Sequence, residues 1–317
     1  MSLLNFIFSD LYLGERVSLF GRIPNYPHPS LVPTELNDEL KTLRERCQQG
    51  ASKHPGANEF PIHSDCGMAF RVSVLPAKTE TVYVLRKIPD KLLQFDALGI
   101  PTPYMDLLMT PNMSGLVLIA GSYAEGKTTT ASAVTVERLK RLGGVAVTVE
   151  DPPELPIEGR HGDGVCYQTE VGKGTFGESL RKVARWAPTI IYLGEVRDYE
   201  AATEAIRAAI NGVLVICTCH GENLIAAIER LYTLGASGAV NPEDVSSLLS
   251  SALKIVMCQQ MTIDLNGEKR IKCQFLWFDE GANGLRAKVH DRQFRHLASD
   301  IEAQLNRTIR QRPTKVG

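Results

Sequence analysis

Three kinds of residue in this chain could do chemistry together: a lysine framed by glycines, carboxylates that follow oily runs, and a histidine. The lysine lies in "GSYAEGKT", Gly121 to Thr128. Gly121 permits a tight turn, and Gly126 lets the backbone approach an anion. Successive N–H groups and a helix N-terminus then bind phosphate. Lys127 would reach the β and γ phosphates, and the Thr128 hydroxyl would ligate Mg²⁺. The expected nucleotide-binding segment is Gly121, Ser122, Tyr123, Ala124, Glu125, Gly126, Lys127, Thr128 and Thr129, with ATP and Mg²⁺ as ligands. Two of its residues are unusual. Tyr123 is bulky, and Glu125 brings a negative charge near a polyphosphate. That charge weakens binding unless it turns outward or meets a cation. The plain structural alternative is a glycine turn with a surface lysine. A buried strand before the loop and a helix after it favour the phosphate cradle.

The carboxylates come in two places. Glu150, Asp151 and Glu154 crowd into "EDPPE", which in isolation reads as an acidic loop. Beside a metal-nucleotide they could orient water or hold Mg²⁺. Glu195 follows "IIYLG", where a nucleotide hydrolase places the acid that polarises attacking water. His220, in "CHGEN", would alone be an ordinary polar residue at a strand end. Its company makes it a candidate γ-phosphate sensor.

Four strands must position these groups. "LVLIA", "VAVTV", "TIIYL" and "VLVICT" are short, apolar and rich in β-branched residues, with helical segments between them. Such runs are buried on both faces and predict a mostly parallel sheet. In an open parallel sheet, ligands bind beyond the carboxyl ends of the strands. The phosphate loop, "EDPPE", "GEVRD" and "CHGEN" each follow one of the four runs, so they converge. Gly143 and Gly144 should stop the helix after the first strand, and Gly212 the helix in "YEAATEAIRAAING".

Upstream, "RVSLFGRI" and "FRVSVLPAKTETVYVLRKI" alternate apolar and polar residues as strands do. "TELNDELKTLRERCQQG" reads as a helix, with Thr34 as its cap, Asn37 in the capping-box position and Gly50 as its stop. The organisation expected is a small α/β domain over residues 1–88, a proline-punctuated linker over 89–105, and an ATPase domain with a helical tail over 106–317.

The chain's 317 residues suit two domains, and its formal net charge of −1 gives no global reason to expect nucleic acid. The C-terminal stretch leans basic: Arg286, Lys288, Arg292, Arg295, Arg307, Arg310, Arg312 and Lys315 face Asp291, Asp300 and Glu302. A solvated tail helix is the simpler reading, an anionic-partner site the other. Seven scattered cysteines with no CxxC pair argue against a disulfide framework and a structural zinc site, and fit a reducing cytoplasm. "MSLLNFIF" lacks the basic start of a signal peptide. No apolar run approaches the roughly 20 residues of a membrane span, so a membrane role would go through partners.

These motifs together resemble the secretion ATPase superfamily: motors of type IV pili, type II secretion and type IV secretion. "GSYAEGKTTT" resembles the family's Walker A loop, "TVEDPPE" its Asp box, "IIYLGEVRD" its Walker B segment and "CTCHGEN" its His box. "SDLYL", "FRVSV" and "LRKIP" resemble its N-terminal signature and its two arginine-bearing segments. The resemblance implies an α/β protein with a RecA-like P-loop core and a smaller PAS-like N-terminal domain. It implies a homo-hexameric ring in the cytoplasm, attached to inner-membrane platform proteins. It also implies that Glu154 and Glu195 are the water-activating carboxylates, that His220 senses the γ-phosphate, and that Arg71 and Arg86 neutralise the transferring phosphoryl group.

The sequence departs from the family in places. The loop lacks the usual Gly and Ser before Gly126. "APT" precedes the Walker B strand, where many relatives carry an acid. "ANGLRAKVH" stands where many retraction motors carry a different signature. The compact N-terminus and the lack of a four-cysteine insert point within the family to a DotB-like type IVB secretion or conjugation branch. The expected function is an ATP-hydrolysing motor of a secretion, conjugation or pilus machine. The alternatives are a nucleotide-binding scaffold with negligible hydrolysis and a DNA-translocating ATPase.

Overall fold

The computed structural model describes residues 2–23, 26, 28–56, 59–171, 175–263, 269–279 and 281–310. The chain divides into two compact units. One runs up to Lys91 and takes in Glu154–Pro156; the other comprises Leu92–Pro153 and the chain from Ile157 onward.

The first unit is built on β1 (Asp10–Leu13), β2 (Ser18–Gly21), β3 (Ser30–Leu31), α1 (Asn37–Lys53), β4 (Glu59–His63), β5 (Ala69–Pro76) and β6 (Thr81–Ile88). The strands form one antiparallel sheet in the order β3-β2-β1-β6-β5-β4. Burial alternates along it, most cleanly in β4, where Phe60 and Ile62 are buried between exposed neighbours. This is the pattern of a sheet with one face on a core and one in solvent. The core face carries Leu11, Leu13, Phe70, Val72 and Leu85. It packs on the α1 stripe of Leu40, Leu43 and Cys47, spaced at helical intervals.

Two expectations for α1 fail. Thr34 does not cap it. Pro33 leads into a 3-10 turn over Thr34–Leu36, whose Leu36 N–H donates to the Pro33 carbonyl (3.1 Å), and the α-helix begins at Asn37 without a side-chain cap. Gly50 does not stop it either. The helix continues to Lys53, and Gly50 lies buried where α1 crosses β4; a Cβ there would sit 2.5 Å from the Phe60 ring. A glycine that punctuates a chain and one that admits a neighbouring ring look alike in sequence.

The second unit opens with a 3-10 turn at Phe95–Leu98 and α2 (Thr102–Leu108). Then follow β7 (Gly115–Gly121), α3 (Lys127–Leu142), β8 (Gly144–Val149), β9 (Gly159–His161), β10 (Gly164–Tyr167), α4 (Phe176–Ala184), β11 (Ile190–Leu193), α5 (Tyr199–Ile210) and β12 (Leu214–His220). The chain closes with α6 (Leu224–Ala236), α7 (Pro242–Ala252), β13 (Leu253–Ile263), β14 (Lys269–Trp277), α8 (Asn283–His290) and α9 (Ala298–Arg310). Its sheet order is β14-β13-β7-β12-β11-β8-β10-β9. The six strands from β13 to β10 are parallel, and one antiparallel strand closes each side. Leu116, Leu118 and Ala120 of β7 share a core with residues of α4, α5, α6 and α7. The intervening side chains point to the other face, where α3 lies on β7, β8, β10, β11 and β12. Both faces are covered, so β7 and β11 are buried along their whole length. The helix stops fall as expected: Gly143 caps α3 with φ 70°, and Gly212 follows α5 with φ 94°.

Candidate functional site

Register places the four expected loops side by side. His220 of β12 pairs with Gly121 of β7, Leu193 of β11 with Cys217 of β12, and Val149 of β8 with Leu193. Four adjacent parallel strands therefore end together. The Gly221 N–H donates to the Gly121 carbonyl (3.3 Å), Gly194 N–H to Val149 (3.0 Å) and Val196 N–H to Thr218 (2.9 Å). The strand ends are stitched to one another as well as aligned.

The phosphate loop is a left-handed turn feeding a helix. Ala124 and Gly126 have φ of 62° and 79°. α4, α5, α6 and α7 are each capped by a side-chain oxygen, from Thr175, Asp198, Asn223 and Asn241. α3 starts instead on Gly126, which has no side chain to accept from the first-turn N–H groups. Those donors and the positive end of the helix dipole suit an anion. The Lys127 ammonium donates to the Ser122 carbonyl (2.7 Å), which holds the cation across the loop. This chemistry fits a nucleotide polyphosphate. Thr128, the second residue of α3, is the hydroxyl that would serve a Mg²⁺ arriving with the nucleotide. Among the described residues no group of three or more His, Cys, Asp or Glu could hold a metal ion by itself.

Glu125 does not face the cradle. Its carboxylate accepts the Met261 N–H, and its carbonyl accepts from Gln259 Nε2 (2.6 Å). The unusual acid in the loop is thus committed to β13, a strand that sequence reasoning did not connect with the site.

Around the cradle, Glu195 is partly buried and accepts from Arg197 Nε at 2.7 Å. Glu150 is buried and accepts from Gln168 Nε2 (3.0 Å). His220 is exposed at the end of β12. Under the site, burial pushes the Cys219 thiol up to about 11; Arg230 pulls it down, the Glu195 charge raises it, and the Lys127 charge lowers it. One thiol therefore feels both the candidate acid and the phosphate-loop lysine. Arg197 and Gln168 were not singled out from the sequence. Arg197 stands two residues from Glu195, which was the available signal; Gln168 offered none.

The remaining expected residues belong to the first unit: Glu154 in the short segment grouped with it, and Arg71 and Arg86 in one row across the sheet face that lies away from its core. Register runs Pro61, Arg71, Arg86, Asp10, Gly21 over β4, β5, β6, β1 and β2. Arg71 and Arg86 are direct cross-strand neighbours, an arrangement that like charges oppose. Carboxylates on both sides offset it. Asp10, only 1% exposed, pairs with Arg86 (3.0 Å) and Arg22 (2.8 Å). Arg71 pairs with Glu154 (3.1 Å) and Glu59 (3.4 Å). Asp10 belongs to the quoted "SDLYL" stretch, but its role as partner of two arginines was not legible there.

In the basic C-terminal stretch Arg295 and Arg307 are exposed, as a solvated tail helix requires, while three other cations have protein partners. Arg286 donates to the carbonyls of Ser250, Ser251 and Phe278, Lys288 pairs with Asp300 (2.6 Å), and Arg292 with Glu243 (3.4 Å). Arg312 and Lys315 lie outside the described residues.

Comparison with known proteins follows the same lines. The profile of the type II/IV secretion system protein family matches residues 52–311. An uncharacterized Escherichia coli protein, YggR, is 33% identical over 262 residues, 81% of this chain and 78% of that one. Type II secretion system protein E of Klebsiella pneumoniae is 34% identical over 200 residues, 60% of this chain; the chain spans only 37% of that relative's length. Among solved structures, the pilus retraction motor PilT with bound ADP superposes with a TM-score of 0.75 at 25% identity, covering 95% of this chain and 87% of that one. The Legionella pneumophila ATPase DotB gives 0.70 at 19% identity over 92% and 83%, a likeness of fold alone. The fold is the α/β RecA-like P-loop core with a smaller PAS-like N-terminal unit that the motifs implied.

Proposed function

The chain belongs to the type II/IV secretion system protein family, within the secretion ATPase superfamily, and from that premise we propose that it is an ATP-hydrolysing motor. Its place is the cytoplasmic base of a secretion, conjugation or pilus machine, where it works as a homo-hexameric ring on inner-membrane platform proteins. No helix among the described residues is long and apolar enough to cross a membrane, so attachment runs through those partners. The observation that carries the reading is the convergence of the phosphate loop, Glu195 and His220 at one end of four adjacent parallel strands.

In this reading the loop N–H groups and Lys127 hold the polyphosphate. The Thr128 hydroxyl holds Mg²⁺, which supplies charge neutralisation when bound. Glu195 takes the proton of the attacking water, with Glu154 the second candidate, and His220 reports the γ-phosphate. Arg71 and Arg86 stabilise charge on the transferring phosphoryl group. The rival reading, a scaffold with negligible hydrolysis, draws on Glu125 and on the altered phosphate loop. The Glu125 carboxylate is engaged by the Met261 N–H, which argues against the first of these grounds. The test is phosphate release from Mg-ATP by the purified protein, with mass measured by light scattering. Turnover together with a six-chain mass is expected. A protein that binds ATP but releases no phosphate would put the scaffold ahead of the motor.

A further inference from the structure

β13 runs parallel to β7 only as far as Cys258, which pairs with Ala120. β7 then ends at Gly121 and the phosphate loop turns away. β13 continues to Ile263, paired on its other side with β14 through Gln259–Cys273 and Met261–Ile271. The overshoot leaves a strand edge with unpaired backbone groups facing the loop, and the loop occupies it.

Five contacts define the fit. The Gln259 carbonyl would lie 2.6 Å from a Cβ at Gly121, so the first loop glycine is pressed on the β13 backbone. Gln259, fully buried, donates Nε2 to the Glu125 carbonyl at 2.6 Å. The Met261 N–H donates to the Glu125 carboxylate. The Met261 methyl and Gln259 Nε2 would lie 3.2 and 3.4 Å from a Cβ at Gly126. Both glycines of the cradle and the acid between them are thus set by two residues of one strand.

We propose that Gln259 and Met261, through Glu125, are positioning residues that hold the phosphate loop in its nucleotide-ready form before any nucleotide arrives. Glu125 is the loop's tether, and its charge is spent on a strand-edge donor. A tether that forms without ligand lowers the ordering cost of binding, so it acts on affinity more than on the chemical step.

The inference rests on the ATPase reading for its kinetic consequence, but the tether itself can be read without nucleotide. Amide exchange of Met261 in the full-length protein is measured first. Glu125→Ala should accelerate it at least about tenfold, as for loss of a charge-assisted hydrogen bond, and Glu125→Gln, which keeps an acceptor, should retain most of the protection. Unchanged exchange in Glu125→Ala would overturn the tether even if ATPase activity is established. Gln259→Leu gives the second reading. Gln259 Oε1 is buried without a partner, so leucine removes an orphan acceptor together with the donor, and the melting temperature should hold. We expect KM for ATP to rise about tenfold with kcat little changed. A plain repulsive charge predicts the opposite sign for Glu125→Ala, a lower KM; that result, or a fall in kcat alone for Gln259→Leu, would refute the proposal. If the protein turns over no ATP at all, the ATPase reading fails while the exchange measurement still decides the tether.

Discussion

The eight-stranded sheet packs a hydrophobic core on both faces, and the six-stranded sheet packs one on a single face. In the first, every position along a central strand is spoken for by core, so polar chemistry can sit only where strands end. In the second, every other position along a strand is available, so charged residues can stand in a row across its middle, as Arg71, Arg86 and Asp10 do. The two arrangements fix side chains differently. Strand-end loops are held by backbone hydrogen bonds, and their residues act where the backbone puts them. The arginines of the non-core face are held by carboxylates, so their positions depend on charge partners.

The sharpest way to break this contrast is at the loop lysine. Lys127→Ala removes the cation at the end of β7, and ATP turnover should fall by about a thousandfold or more while the circular dichroism spectrum stays intact. Near-normal turnover would mean that the glycine turn is only a turn. Next comes Glu195→Gln, which keeps shape and loses basicity. Turnover should drop about a hundredfold with ATP still bound. Glu154→Gln, assayed in parallel, should cost less, because Glu154 is also the partner of Arg71; the reverse order would make Glu154 the base.

Smaller effects are expected in the arginine row. Arg71→Ala and Arg86→Ala should each reduce kcat about tenfold or more with Kd for ATP little altered. Asp10→Asn should follow Arg86→Ala in kind but at reduced size, since it weakens two ion pairs without deleting the guanidinium. If Asp10→Asn leaves kcat untouched while Arg86→Ala lowers it, the carboxylate does not position the arginine. The smallest change concerns packing. Gly50→Ala, a substitution that normally strengthens a helix, should lower stability by about 1–3 kcal/mol because its methyl meets the Phe60 ring, read as a lower urea midpoint for the first unit's transition. A higher midpoint would show that α1 can move off β4.

The sequence made the parallel sheet readable because strands buried on both faces must be apolar throughout, and because each loop after them carried polar residues of a known spacing. It made the helix stops at Gly143 and Gly212 readable because both take positive φ outside the helix. It misread Gly50 and Thr34, where the deciding fact was a ring packed from another strand and a 3-10 entry after Pro33. β13 escaped notice because its key residue, Gln259, is a fully buried polar side chain, which no pattern of apolar spacing marks.

What the sequence determined by itself is the local part: a glycine-framed lysine after an oily run, acids and a histidine after three more, and hence a candidate phosphate site at one end of a sheet. Those follow from backbone preference and burial, which act over a few residues. What only the tertiary structure decided is direction and partnership. Glu125 turns from the cradle to Met261, 136 positions away, and Arg86 answers to Asp10, 76 positions away. A charge placed near another by folding has no signature in its own neighbourhood, because its energy depends on distance in space and not along the chain.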